Sequence, residues 1–416
     1  KMLYDNALIA RLYLHAYQIT SKSLYKRITQ ETIDYVLREM TDANGGFYSA
    51  QDADSEGVEG KFFVWSLPEI INSLGSTNGD IVSKFYGVTD NGNFEGNNIL
   101  NISKSLESFC LENQLELENL QVILDHSKTT LLEVRNKRIH PLLDDKILSS
   151  WNGLMLKTLA EAGATLKRQD YITAAKNNAM FIINTMHSES RLLRSYRAGQ
   201  AKLLGYLEDY SFVADGLISL YEATFENRWM DEAVKLVDDM IILFWDSELG
   251  GFYDTGHDHE SLVVRPRDIF DNAQPCGGSV AADVLLRLSI ITGNEDYISK
   301  ASTSMRGLHQ LMARAPGGTA HWLSALDSYV NAPKEIAIIG TGNNIETQTF
   351  KNIVFETYVP NKVLVGKNKN DQGIDSPLLR DRDTDGESPV AYVCQNYTCQ
   401  YPARDTATFT EQLKNH

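Results

Sequence analysis

Gly45-Gly-Phe-Tyr48 and Gly250-Gly-Phe-Tyr253 are two copies of one tetrapeptide, each placed after a pair of helical stretches and before an acid-rich loop. Repetition on this scale marks a chain assembled from a recurring helix-pair-plus-loop unit. Paired glycines give a helix an easy stop, because glycine accepts the positive φ at which helices end. The Phe and Tyr that follow are expected to wall an apolar pocket, with the neighbouring carboxylates as its polar teeth.

Working outward, the clearest helix carries Met230, Ala233, Val234, Val237, Met240, Ile241 and Phe244, an i, i+3, i+4, i+7 stripe with charges between. Its predecessor, over 206–225, is apolar nearly all the way round, and such a helix is enclosed on most sides. The same alternation predicts helix pairs at 3–19 with 23–41, 149–167 with 170–187, and 275–292 with 295–313. An enclosed helix followed by an amphipathic one is the pattern of a double-layered α/α toroid. A solenoid would keep a tighter period than these units do. The fold class is therefore all-α, an (α/α)6 toroid expected to be incomplete at its N-terminus.

The toroid domain is assigned to 1–332, interrupted by an insertion at 58–140 with helices near 67–74, 79–86, 103–113 and 117–137. Residues 188–205 read as a hairpin or long loop. From 333 to 416 the pattern changes: Glu335-Ile-Ala-Ile-Ile-Gly340, Lys362-Val-Leu-Val-Gly366 and Pro389-Val-Ala-Tyr-Val-Cys394 are buried-strand runs around a helix at 346–357. This is a small α/β segment.

Composition narrows the function. A net charge of −16 over 416 residues argues against nucleic acid or an anionic membrane as partner. No run of 18 apolar residues is present, so no spanning helix is expected. Four cysteines are too few for a disulfide framework, which points to a reducing, cytoplasmic setting. There is no P-loop, dinucleotide fingerprint or nucleophile elbow, and no cofactor is implied.

Candidate chemistry clusters near the starts of the enclosed helices. Asp52-Ala-Asp54-Ser-Glu56-Gly57 opens like a calcium loop, but the twelfth position, where a bidentate Glu belongs, is Phe63. No metal site is assigned. Asp52 and Asp54 instead read as acids at a pocket mouth beside Tyr48, or as a solvated turn. Asp144 and Asp145 precede Trp151 and Asn152, a mix of acids, stacking face and amide suited to sugar hydroxyls. The helix dipole alone also favours acids there. Glu208, Asp209 and Tyr210, with Asp215, begin a further enclosed helix, and Asp268 with Asn272 precedes the next. Phe252 adds a wall. On a closed ring these acids would converge as general acid and base. His140, His257, His259 and His321 are placed in interhelical loops, where a proton-transfer residue could sit. Cys394 and Cys399 are either a structural thiol pair or, from adjacent strand ends, a disulfide and the chain's redox element.

These blocks together resemble the spermatogenesis-associated protein 20 family and its bacterial YyaL-type relatives. The resemblance rests on Gly45 to Gly57, Lys1-Met-Leu-Tyr-Asp-Asn6, Asp144 to Gly153, Leu207-Glu-Asp-Tyr210, Asp271-Asn-Ala-Gln-Pro275 and Val393-Cys-Gln-Asn-Tyr-Thr-Cys-Gln400. It implies a six-hairpin glycosidase-like toroid, shaped like N-acylglucosamine 2-epimerases. It also implies a preceding thioredoxin-like domain that this chain lacks, so the chain reads as a fragment. The functional expectation is a carbohydrate-active or carbohydrate-binding protein using general acid–base chemistry for hydrolysis or epimerisation. The alternative is a non-catalytic scaffold that works with a thioredoxin-like domain.

Overall fold

The structure is a computed structural model describing residues 1–414 apart from 189, 262, 341–344, 370 and 385–387. The chain divides into two compact units: Lys1 with Gln51–Asp144, and Met2–Ala50 with Asp145 onward.

The smaller unit holds helices α3 (Leu67–Leu74), α4 (Ser76–Phe85), α5 (Leu106–Asn113) and α6 (Leu117–Arg135) around Trp65, Ile70, Val82, Phe85, Phe109 and Leu120. Helix α3 starts on a capping box. Ser66 accepts from the Glu69 backbone N–H, and the Glu69 carboxylate accepts from the Ser66 backbone N–H.

The larger unit alternates inner and outer helices. Inner α1 (Leu3–Thr20), α7 (Ser149–Leu166), α9 (Leu207–Thr224), α11 (Gly277–Thr292) and α13 (Ala320–Val330) neighbour one another in that order. Outer α2 (Ser23–Glu39), α8 (Gln169–Thr185), α10 (Asn227–Phe244) and α12 (Glu295–Arg314) each pack on the inner helix before them. This is α/α-toroid architecture, with four helix pairs and α13 among the described residues. Every residue of α9 from Asp209 to Ala223 is buried, whereas α10 buries only Trp229, Met230, Ala233, Leu236, Val237, Met240, Leu243 and Phe244. Each inner helix that precedes an outer one ends on a left-handed residue: Ser21, Lys167, Phe225 and Gly293. Such an end reverses the chain within a few residues.

The repeated tetrapeptides form one joint used twice. After α2, the Asp42 amide donates to the Gly46 carbonyl and Thr41 bridges to Phe47; after α10, the Asp246 amide donates to Gly251 and Trp245 bridges to Phe252. Gly45 (φ 100°) and Gly250 (φ 76°) supply the left-handed turn. Phe47 and Phe252 are buried in the core. The motif folds the chain back from an outer helix and anchors it, and in the first copy Gly45 and Phe47 also border a cavity beside α8.

One further difference has a local cause, and one expectation, the hairpin, is met. Residues 316–318 are a 3-10 turn and α13 begins at once, so His321 lies in a helix, where Pro316-Gly-Gly318 had signalled a loop. Residues 188–205 hold the strands Arg191–Arg197 and Gln200–Leu204, paired antiparallel. At the C-terminal end, strand Lys334–Gly340 pairs in parallel with Lys362–Asn368 and antiparallel with Val390–Gln395, which in turn pairs with Thr398–Cys399. Helix α14 (Ile345–Glu356) packs on α7, and strand Lys362–Asn368 lies against α9 and α11.

Helices α7 and α9 cross at glycines. A Cβ on Gly153 would fall 2.5 Å from the Phe212 carbonyl carbon, and one on Gly216 would fall 2.8 Å from the Gly153 oxygen. Gly153→Ala is therefore expected to cost about 1–3 kcal/mol through overpacking. Urea unfolding of wild type and variant measures it, and an unchanged midpoint would contradict the close approach.

Candidate functional site

A cavity of about 730 Å³ lies among the inner helices of the larger unit. Helix α1 contributes Arg11, His15 and Gln18, α7 contributes Lys157, Glu161 and Thr165, α9 contributes Glu222, and α11 contributes Asp283 and Arg287. His321, Ser324 and Ser328 come from α13. The C-terminal segment supplies the remaining wall through Glu335, Phe355, Tyr358, Lys362, Asn396 and Tyr397.

The inner helices meet here through charge. The Lys157 ammonium donates to both oxygens of Asp215, at 2.9 and 2.7 Å, and the Arg287 guanidinium donates to Asp215 Oδ1 at 2.6 Å. Arg287 continues to Glu222 at 3.2 Å, and Glu222 accepts the Leu364 amide at 3.3 Å. Burial pushes the Asp215 carboxyl up, but Lys157 and Arg287 outweigh it and hold the group below the usual carboxylate range. A second cluster joins α1 to α7: Arg11 Nε donates to Glu161 at 2.7 Å, and His15 Nε2 lies 3.2 Å from the same oxygen. Burial opposes ionisation of Glu161, yet Arg11 and His15 bring its pKa well below the ordinary value.

Two imidazoles face this cavity. Burial lowers the pKa of His15, with Glu161 only partly opposing, and burial likewise lowers that of His321. His321 Nε2 is buried without a hydrogen-bond partner, while its backbone N–H donates to Asp271 at 2.9 Å. Asp283 forms no ion pair among the described residues. Burial also lowers the Lys362 ammonium, with Glu222 and Glu161 opposing. Among the described residues no cluster of three or more His, Cys, Asp or Glu could hold a metal ion.

Of the residues expected from sequence, His321 lies in this cavity and the others do not line it. Asp52 and Asp54 are exposed in the smaller unit, where Asp52 Oδ1 accepts the Ala53 amide in a local turn. Asp144 is half-buried at the end of that unit. Near the start of α9 acids do gather: burial, with Asp268 and Glu208, raises the Asp254 pKa to about 6, and several of the expected acids also hold the scaffold. Asp145 pairs with Arg197 at 2.5 Å, and Glu208 takes Arg194 at 2.9 Å and Gln274 at 3.1 Å. Asp209 is fully buried, accepts the Ser150 and Tyr206 amides and Arg194, and is pushed up to about 6, mainly by burial. Asp268 is exposed and caps the Phe270 amide.

The side chains expected as ligand contacts also have partners within the chain. Asn152 spends its amide on Phe47, Leu148 and Asn178, and the Tyr210 hydroxyl accepts from Arg191 and the Leu192 amide. Phe252 packs edge-on to Trp245 at 5.0 Å, Trp151 meets Tyr4 at 4.9 Å, and Tyr48 donates to Asp42 at 3.1 Å. Asn272 is exposed beside Phe270. Cys394 and Cys399 are joined as a disulfide. The missed residues carry a signal of their own. Arg11 and His15, Lys157 and Glu161, and Asp283 and Arg287 are spaced i, i+4 within otherwise apolar helices, which puts each pair on one face.

Over 99% of its length the chain is 32% identical to human spermatogenesis-associated protein 20, of which it covers 58%. It is 24% identical, over 97% of its length, to an uncharacterised protein of Caenorhabditis elegans, of which it covers 60%. The chain thus spans less than two thirds of the length of these curated relatives. No family model matches it. Among solved structures, a cellobiose 2-epimerase from Bacillus thermoamylovorans is similar at a TM-score of 0.45 and 10% identity, covering 74% of this chain and 61% of that one.

Removing the Asp215 charge would leave Lys157 and Arg287 buried and under-compensated. Asp215→Asn is expected to lose about 3–5 kcal/mol of stability, and Asp283→Asn, which breaks no ion pair, less than about 1 kcal/mol. Chemical denaturation distinguishes the two. The Asp215 and Glu161 carboxyls sit below their unfolded-state values, so their stabilisation is present at neutral pH and is lost as pH falls below about 4.

Proposed function

We propose that this chain, which belongs to the spermatogenesis-associated protein 20 family over the length it spans, binds a reducing sugar in the inner-helix cavity and transfers protons on it, as an epimerase or isomerase does. The observation that carries this reading is the presence of two imidazoles, His15 and His321, on different helices of one cavity, both biased toward the neutral form. A neutral imidazole can take a proton from the carbon next to a carbonyl, and the other, once protonated from solvent, can return one on the opposite face.

The surroundings suit that division of labour. Glu161 orients His15, while His321 keeps Nε2 unpaired. Arg11 and Arg287 stand where the enediolate oxygen formed by proton removal would gain from fixed positive charge. Hydrolysis is less well supported. It needs two available carboxyl groups; Glu161 and Glu222 are paired with arginines, which leaves Asp283 on the inner helices, with Glu295 and Glu335 on other elements of the lining.

The direct assay incubates the protein with aldoses and ketoses in D2O and follows deuterium entry next to the carbonyl by NMR. Exchange is expected, with a loss of about a hundredfold or more in His15→Asn and in His321→Asn. No exchange with any sugar, together with no saturable rise in melting temperature, would falsify the reading. The pH profile supplies an independent check. Activity requires an unprotonated imidazole as the base, so kcat/KM is expected to fall on the acid side, with its midpoint below about 6.5.

A further inference from the structure

The C-terminal disulfide is built asymmetrically. Cys394 stands directly opposite Cys399 on one side and opposite Glu335 on the other, so the three residues form a row across adjacent strands. Cys394 is 2% exposed, whereas Cys399 is open to solvent. Above them lies Arg382, whose Nη2 is 3.1 Å from Cys394 Sγ and 3.5 Å from Cys399 Sγ. Its Nη1 is buried without a partner. A guanidinium directed at two sulfurs does little for a neutral disulfide. It strongly favours a thiolate.

The same hairpin forms part of the cavity wall. Its tip, Asn396 and Tyr397, lines the cavity, and both residues are left-handed, at φ 52° and 60°. Asparagine tolerates that conformation, but for tyrosine it costs about 1–2 kcal/mol. The strand that closes the hairpin is two residues long, Thr398–Cys399, so the cross-link is a principal restraint on the tip.

We propose that Cys394–Cys399 is a thiol-exchange site for a dithiol reductant, and that its reduction releases the hairpin tip from the cavity wall. A thiolate of the reductant attacks the accessible Cys399 Sγ, forming a mixed disulfide as the Cys394–Cys399 bond breaks. The electron pair leaves on Cys394 Sγ, as a thiolate beside Arg382. The second thiol of the reductant then displaces Cys399, and the two cysteines end reduced while the dithiol becomes a disulfide. Glu335, a carboxyl with its pKa raised by burial and opposite Cys394, is placed to exchange a proton with that sulfur. The other two cysteines contrast with this pair: Cys110 and Cys276 are buried, and the Cys276 thiol is pushed up to about 11 by burial.

The test treats the folded chain with increasing dithiothreitol, alkylates it and maps the label by mass spectrometry, with circular dichroism confirming that the helices persist. Cys394 and Cys399 are expected to label together while Cys110 and Cys276 do not. Arg382→Gln is expected to slow reduction about tenfold, by raising the pKa of the leaving thiol, and Arg382→Lys to restore part of the rate. Hydrogen exchange at 395–398 is expected to rise on reduction of the wild-type chain. The proposal is overturned by a disulfide that resists reduction until the helices melt, by free thiols at both positions under oxidising conditions, or by an Arg382→Gln rate equal to wild type. Unchanged exchange at 395–398 after reduction overturns the release of the tip.

Discussion

Asp215 accepts from Lys157 of α7 and from Arg287 of α11 while sitting in the middle of α9, the most enclosed helix of the ring. Three neighbouring inner helices are therefore tied by charge at a depth where an unpaired ion would cost several kcal/mol. Apolar packing between smooth helices tolerates small slides and rotations. A lysine and an arginine that must both reach one carboxylate do not. The glycines at the α7–α9 crossing serve the same end, because they let the backbones approach closely at Gly153 and Gly216.

Stability alone does not account for these charges. A buried ion pair replaced by apolar side chains of similar volume is often as stable or more so. Apolar inner faces would close the ring more simply, yet each of α1, α7, α9 and α11 carries ionisable residues at helical spacing toward the same cavity. That pattern is intelligible if the space between the helices must stay polar, open and shaped for a ligand.

The layering of the fold was legible because it follows from burial. Helix α9 is apolar all round and is enclosed, while α10 has one apolar stripe and lies outside. Helix α13 was hidden by Pro316-Gly-Gly318, whose composition signals a break although the turn leads straight into a helix. Of the residues lining the inner-helix cavity, His321 was singled out from sequence. The partners of the acids at helix starts, Asp145, Glu208 and Asp209, were not legible, because Arg197 and Arg194 lie on a strand whose pairing the sequence does not specify. Conversely, Arg11, Lys157 and Glu161 pass for ordinary polar positions until the helices around them prove to be inner ones.

Charge balance then bears on the kind of ligand. On the inner helices Arg11, Lys157 and Arg287 meet Glu161, Asp215, Glu222 and Asp283; Lys362 adds a cation, and Glu295 and Glu335 add carboxylates, so acids outnumber cations. A site built for a multiply charged anion would carry a surplus of cations, and this one does not. Asp283 and Lys362 form no ion pair among the described residues, although the Lys362 ammonium donates to the Val359 carbonyl at 3.3 Å, and His321 Nε2 has no partner. A carboxylate acceptor, an ammonium with donors to spare and an imidazole all face the cavity. A sugar hydroxyl both donates and accepts, so a neutral polyol could satisfy all three without disturbing the ion pairs that hold the helices in register.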